Sequence, residues 1–216
     1  MMLFYGIFQR DASECFFKFL ELLHIGTKYN LLGSDHLDEN YEISLKKNLF
    51  GSIVKRLLKC YRCQLDTIID VSCFSFNIIP EKYFSVTELL TRSLKSTLSK
   101  RCTRCKKDTA HSENSIIAHN PSILVIVIKR FNFLNSATKN HDEIKIDHEI
   151  RINNAEFHLL ALVHHFGSST SSGHYTATTR YDNEYYLCND QLVTKIDKME
   201  ALSNSAYILF YKCKNQ

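Results

Sequence analysis

The sequence predicts an α+β protein, with helical segments near the N-terminus and an antiparallel sheet in the C-terminal half. Three observations carry this. Apolar residues recur at helical spacing after Asp11, Ile123–Ile128 is an unbroken aliphatic run, and four strand-like stretches follow between residues 157 and 211. With 216 residues, 44% of them hydrophobic, the chain can bury one sizeable core with room for a protruding subdomain. Only 6 Gly and 2 Pro, with no run of one residue type, exclude collagen-like, linker and low-complexity classes.

From Asp11 onward, Ala12, Phe16, Phe19, Leu20 and Leu23 fall on one helical face, and Asp11 with Glu14 resembles a capping box at its start. Residues 26–40 are polar and turn-rich. The pattern then switches to short extended segments around two cysteine pairs, including alternation through 67–79 that stops at Pro80. Ser85 followed by Glu88 opens a second short helix to about Leu98. Residues 123–128 are apolar on both faces, as a strand covered on both sides must be. A polar connection over 132–147 leads to strands at 157–165, 173–181, 185–187 and 206–211, with no internal repeat.

The net charge of +4 is a mild excess that does not by itself demand nucleic acid or an anionic membrane. The longest purely aliphatic run has six residues against the roughly 20 needed to span a bilayer, so no membrane partner is expected. The apolar start, Met1 to Phe8, lacks a basic leader and does not read as a signal peptide.

Of eight cysteines, four form two Cys-x-x-Cys pairs, Cys60/Cys63 and Cys102/Cys105, separated by 38 residues. Each two-residue gap lets both sulfurs turn inward, so that two knuckles fill the four corners of a tetrahedron. The expectation is a closed structural zinc site in a reducing compartment, free thiols being the alternative. Basic residues crowd the second knuckle, from Lys100 to Lys107, which invites a zinc-ribbon nucleic-acid reading. Tyr61 is the sole aromatic in or beside either knuckle, so a stacking platform is thin and the cluster reads as a solvated tip, with no nucleic-acid partner expected.

The most informative stretch runs from Gly173-His174-Tyr175 to Tyr186-Leu187-Cys188-Asn189-Asp190. With Asp182-Asn183 as a two-residue hairpin turn, Thr176 faces Asn189 and His174 lies one diagonal step away on the same sheet face. A histidine held through Nδ1–H by an Asn oxygen would present Nε2 as a base, which supplies two parts of a Cys-His-Asn arrangement. A lone strand histidine is as a rule structural, and a register slip of one residue would separate the pair.

Together these residues resemble the ubiquitin-specific protease family of cysteine deubiquitinases, in order from Gln9 to Tyr211. Gln9-Arg10-Asp11-Ala12-Ser13-Glu14 is similar to its Gln-x-Asp-Ala-x-Glu segment, and the cysteine pairs to its fingers zinc site. Pro121 through Lys129-Arg130-Phe131 is similar to its Pro-x-x-Leu…Leu-Lys-Arg-Phe strand. The His174 and Asn189 segments resemble its His box, and 206–211 its closing strand. The resemblance implies a papain-like hand: part of a thumb in 1–40, zinc-bearing fingers in 41–120, and a palm with the His box in 121–216. It further implies His174 as general base, Asn189 as orienter and Asp190 as an auxiliary polar group. Asp11 and Glu14 would face the ubiquitin tail, and residues 132–141 and 166–172 would border the cleft. Ubiquitin and ubiquitinated proteins would be the partners, of a monomer in cytoplasm or nucleus.

One departure stands out. The family's Asn…Asn-Thr-Cys-Tyr motif, with the nucleophile and an oxyanion-hole donor, precedes the Gln-x-Asp segment, and the eight residues before Gln9 contain no such motif. By the same resemblance Cys15 falls where the family has a large apolar side chain on a buried helix face, while Cys188 should point away from Asn189, and Cys73 and Cys213 look like small core residues. The expectation is therefore a chain inactive by itself: part of a deubiquitinase domain, or a non-catalytic ubiquitin-binding module.

Overall fold

The computed structural model describes residues 11–30, 45–132, 138–169, 172–202 and 205–214. The elements run α1 (Ala12–Asn30), α2 (Leu45–Phe50), β1 (Ser52–Cys60), β2 (Asp66–Cys73), β3 (Phe76–Ile78), α3 (Val86–Ser93), β4 (Lys95–Arg101) and β5 (Asp108–His119). There follow β6 (Ile123–Ile128), β7 (Phe131–Asn132), β8 (Thr138–Lys139), β9 (Glu149–Ile152), β10 (Ala155–Phe166), β11 (His174–Tyr181), β12 (Glu184–Asn189), β13 (Leu192–Ile196), α4 (Lys198–Ala201) and β14 (Ala206–Cys213). No helix among the described residues is long and apolar enough to cross a membrane.

Two sheets divide the work. The smaller is antiparallel in the order β2-β1-β5-β4, so that each cysteine pair closes a hairpin at its far end. The larger has eight strands in the order β13-β12-β11-β10-β14-β6-β3, with β9 on β10; it is antiparallel except where β3 runs parallel to β6. The stretch 67–79, which alternates throughout, is split: β2 lies on the edge of the small sheet and β3 joins the large one.

The aliphatic run forms β6, buried from Leu124 to Ile128. Its even positions, Leu124, Ile126 and Ile128, pack with Val86, Leu89 and Leu90 of α3 and with Phe157, Leu162 and Leu209. Its odd positions, Val125 and Val127, meet Phe16 of α1 and Phe50 of α2 with Tyr207 and Phe131. Layers on both sides are why no polar residue interrupts this strand.

Three expectations are corrected. Phe19 is 54% exposed while Leu20 is fully buried, so the apolar face of α1 is narrower than its periodicity suggests. Cys15, expected on the buried face, is exposed for the same reason. The Ser85–Glu88 capping box is present, but α3 stops at Ser93 rather than near Leu98, because Lys95–Arg101 pairs along β5. Sheet pairing overrides the local pattern in a stretch rich in Ser and Thr.

Candidate active site and metal centre

Asp182 (φ 48°) and Asn183 (φ 65°) both sit in the left-handed region, as a type I′ turn requires. The turn sets the register Tyr181↔Glu184 to Ala177↔Cys188, and one further step places Thr176 opposite Asn189. The side chains of His174 and Asn189 then meet across the diagonal, with His174 Nε2 at 2.6 Å from Asn189 Oδ1. This differs from the sequence expectation in one respect: Asn189 accepts from Nε2–H, not from Nδ1–H. The bond is made by the distal ring nitrogen, which leaves Nδ1 free of Asn189. Asp190 (φ 52°) is exposed in the tight turn that joins β12 to β13.

Strand alternation puts two further histidines on opposite faces of β10, the strand beside this hairpin in the same sheet. His164, 2% exposed, bonds Thr178 Oγ1 at 2.9 Å and Ser205 Oγ at 3.1 Å, and burial pulls its pKa down to about 4. His165, 1% exposed, stacks near Tyr175 with ring centroids 4.6 Å apart and has Lys139 Nζ 3.3 Å from Nδ1; burial and that cation lower its pKa. A Cβ on Gly173 would come within 2.5 Å of His165 Nε2, so only glycine lets the chain pass here into His174. The sequence shows the His164-His165 doublet, and alternation alone could have flagged one histidine per face.

Asp11 caps α1, accepting from the backbone N–H of Ser13 (2.8 Å) and Glu14 (3.1 Å), and takes a 2.5 Å hydrogen bond from Tyr207 on β14. Burial works to raise its pKa, but the bonds from Ser13, Tyr207 and the backbone outweigh that and hold it below the ordinary value. Glu14 is exposed on the same first turn. Tyr175 reaches this corner too, its hydroxyl 3.4 Å from Ala12 N.

At the far end of the small sheet, the sulfurs of Cys60, Cys63, Cys102 and Cys105 all lie within 4.8 Å of one another. Cys63 and Cys102 are 3.5 Å apart and Cys60 and Cys105 4.0 Å, which brackets the spacing of about 3.8 Å that a tetrahedron of 2.3 Å bonds requires. Both knuckles have the same backbone: Gln64 and Lys106 are left-handed and return N–H bonds to the carbonyls of Cys60 and Cys102. A hydrogen bond to Thr109 and backbone N–H groups pull Cys60 down to about 5. The Leu65 N–H pulls Cys63 down, yet desolvation and the three facing sulfurs push it up to about 11. Four converging sulfurs at tetrahedral spacing are the donor set of a closed structural site, so these residues fit a structural metal with no open position.

The ubiquitin carboxyl-terminal hydrolase family profile matches residues 2–211. Ubiquitin carboxyl-terminal hydrolase 25 of Arabidopsis thaliana is 30% identical over 96% of this chain, and hydrolase 21 of Homo sapiens 27% identical over 85%. The chain spans 34% and 36% of these two relatives. Ubp8, in a SAGA DUB module bound to monoubiquitin, superposes with a TM-score of 0.81 at 21% identity, over 97% of this chain and 50% of its own. A hairpin that pairs histidine with asparagine, a sheet capped by four cysteines and this match define the class: the chain belongs to the ubiquitin carboxyl-terminal hydrolase family. Its fold is that family's papain-like hand, with the four-stranded sheet as fingers and the eight-stranded sheet as palm.

Proposed function

We propose that these residues form the base-bearing part of a cysteine deubiquitinase, and that the nucleophilic thiol comes from outside the 216 residues. The observation that carries this is the 2.6 Å bond from His174 to Asn189 in a chain of this family. Asn189 holds the ring by Nε2–H, so Nδ1 takes the proton of an incoming thiol, and the amide oxygen stabilises the imidazolium that forms. The thiolate attacks the carbonyl of ubiquitin's C-terminal glycine. The imidazolium then protonates the departing amine, and water hydrolyses the thioester. Asp11 and Glu14 offer negative charge to the basic tail, and Asp190 is an auxiliary polar group beside Asn189. Zinc on Cys60, Cys63, Cys102 and Cys105 holds the fingers that contact ubiquitin. The chain acts as a monomer in cytoplasm or nucleus, where thiols stay reduced.

In this reading none of the eight cysteines serves His174. Four form the metal cluster, Cys73 and Cys213 belong to the core, and Cys188 is paired with Ala177. Cys15 is on α1, which meets Tyr175, and alternation turns the neighbouring His174 to the other face. The exposed or structurally occupied places of these cysteines also favour a second reading, a ubiquitin-binding module without catalysis.

Both readings predict that the zinc-loaded chain binds ubiquitin saturably, leaves a fluorogenic ubiquitin C-terminal amide uncleaved and is unlabelled by ubiquitin bearing a C-terminal electrophile. Labelling of Cys15 or any other cysteine overturns the missing nucleophile, and absence of binding overturns the ubiquitin reading. Restoring hydrolysis by adding a thiol-bearing upstream segment of a relative separates the two: His174→Gln should then abolish turnover.

A further inference from the structure

The basic fingertips carry an observation that the active site does not use. Residues 59–66 and 100–108 contain seven Lys and Arg against two Asp, a net +5, whereas the whole chain is only +4. The remainder of the molecule is therefore slightly negative. Even a centre of four thiolates and one divalent ion, formally −2, leaves the tip positive. Along the sequence the first knuckle contributes little to this cluster, and the second alone reads as a solvated turn. The structure changes the weighing by bringing the two knuckles together on four sulfurs within 4.8 Å of one another. Lys59 and Arg62 then join Arg101, Arg104, Lys106 and Lys107 in one patch, all six exposed, and among the described residues none of them is in an ion pair. Tyr61 stands among them, 53% exposed.

We propose that the fingertips are a docking surface for a nucleic-acid backbone, with Tyr61 available to stack on an unpaired base. The composition decides between this and an acidic protein partner. Protein interfaces have an apolar centre and are depleted in lysine, whereas this tip has one large apolar side chain amid its cations. Guanidinium and ammonium groups on a rigid, metal-tied scaffold suit phosphates, which need charge and donors but no apolar pocket. Within a Debye length of about 8 Å at physiological salt these charges act together. The surface is remote in the fold from the His174–Asn189 hairpin, on the other sheet, and the inference does not rest on the deubiquitinase reading.

The test is fluorescence anisotropy of the zinc-loaded full chain with a labelled 20-nucleotide DNA, single-stranded and duplex, over a salt series. Four to six phosphate contacts give log K against log salt a slope of about −3 to −4 for the single strand. Arg101→Glu/Arg104→Glu/Lys107→Glu should weaken binding more than tenfold while retaining its zinc, and Arg104→Ala alone should flatten the slope by about 0.7. Tyr61→Ala should cost the single strand about tenfold and leave the duplex unchanged. Binding that ignores salt, or that persists in the charge-reversed chain, overturns the proposal. So does displacement of the DNA by poly-glutamate at equal charge concentration, which would assign the tip to an acidic protein segment.

Discussion

The palm and the fingers are both mainly antiparallel β-structure, yet they are held together by different physics. The palm closes around side chains that are wholly buried, among them Phe157, Leu124, Ile126 and Tyr211, with helices on both faces. The fingers form a four-stranded sheet whose edge strand β2 is exposed along almost its whole length, Ile68 being 65% exposed. A sheet this thin lacks the apolar burial to offset its own ordering entropy. The four sulfurs at its far end could hold a metal ion, which would supply what the missing core does not. One region is stabilised by area, and the other would be by a metal cross-link.

The sharpest way to break this contrast is to deny the four cysteines a metal ion. Structural zinc contributes on the order of 10 kcal/mol to small zinc-binding units. Chelation, or Cys102→Ser, should therefore abolish amide-exchange protection in β1, β2, β4 and β5 while β6, β10 and β14 keep theirs. Equal loss in both sheets would show that the fingers are held by their packing instead.

The palm should show the reverse sensitivity. Phe157→Ala removes a fully buried ring and should cost about 3–5 kcal/mol in urea unfolding, whereas Ile68→Ala on β2 should cost less than about 0.5 kcal/mol. Comparable values would erase the distinction between the two sheets.

Acid should weaken the palm through His164. Its folded pKa is pulled from 6.5 to about 4, so between those values the unfolded chain binds the extra proton and stability falls as pH drops. The shift corresponds to about 3 kcal/mol, present in full above pH 6.5 and lost by pH 4. Urea midpoints from pH 7 to pH 4 should fall more steeply for the wild type than for His164→Gln. His165 is lowered by burial and by Lys139, which gives its contribution the same sign.

Smallest is the cap on α1. Asp11→Ala removes the acceptor of two backbone N–H groups and of the Tyr207 hydroxyl, and should cost about 1–2 kcal/mol by thermal or urea unfolding. A neutral result would mean that α1 is held by Phe16 and Leu20 alone.

Much of the site was legible because its rules are local. Asp182-Asn183 dictates a two-residue turn, the turn dictates the register, and the register places His174 beside Asn189. The Cys-x-x-Cys pairs announce their chemistry by spacing in the same way. What escaped was the ring nitrogen that Asn189 engages, because reach across a diagonal depends on twist and rotamer rather than on residue type. The seating of His164 and His165 escaped too, since their partners Ser205 and Lys139 arrive from other strands and loops.

By itself the sequence determined the α+β class, the both-sided burial of β6, the His174–Asn189 register and the four cysteines that could hold a metal ion. Each follows from periodicity, turn chemistry or spacing within a few residues. Only the tertiary structure decided that β2 and β3 part into different sheets, that α3 yields to β4, that Phe19 and Cys15 face outward, and that two knuckles merge into one charged tip. Those outcomes turn on which distant strand offers the better pairing and which surface is left to be covered, and no local pattern encodes that competition.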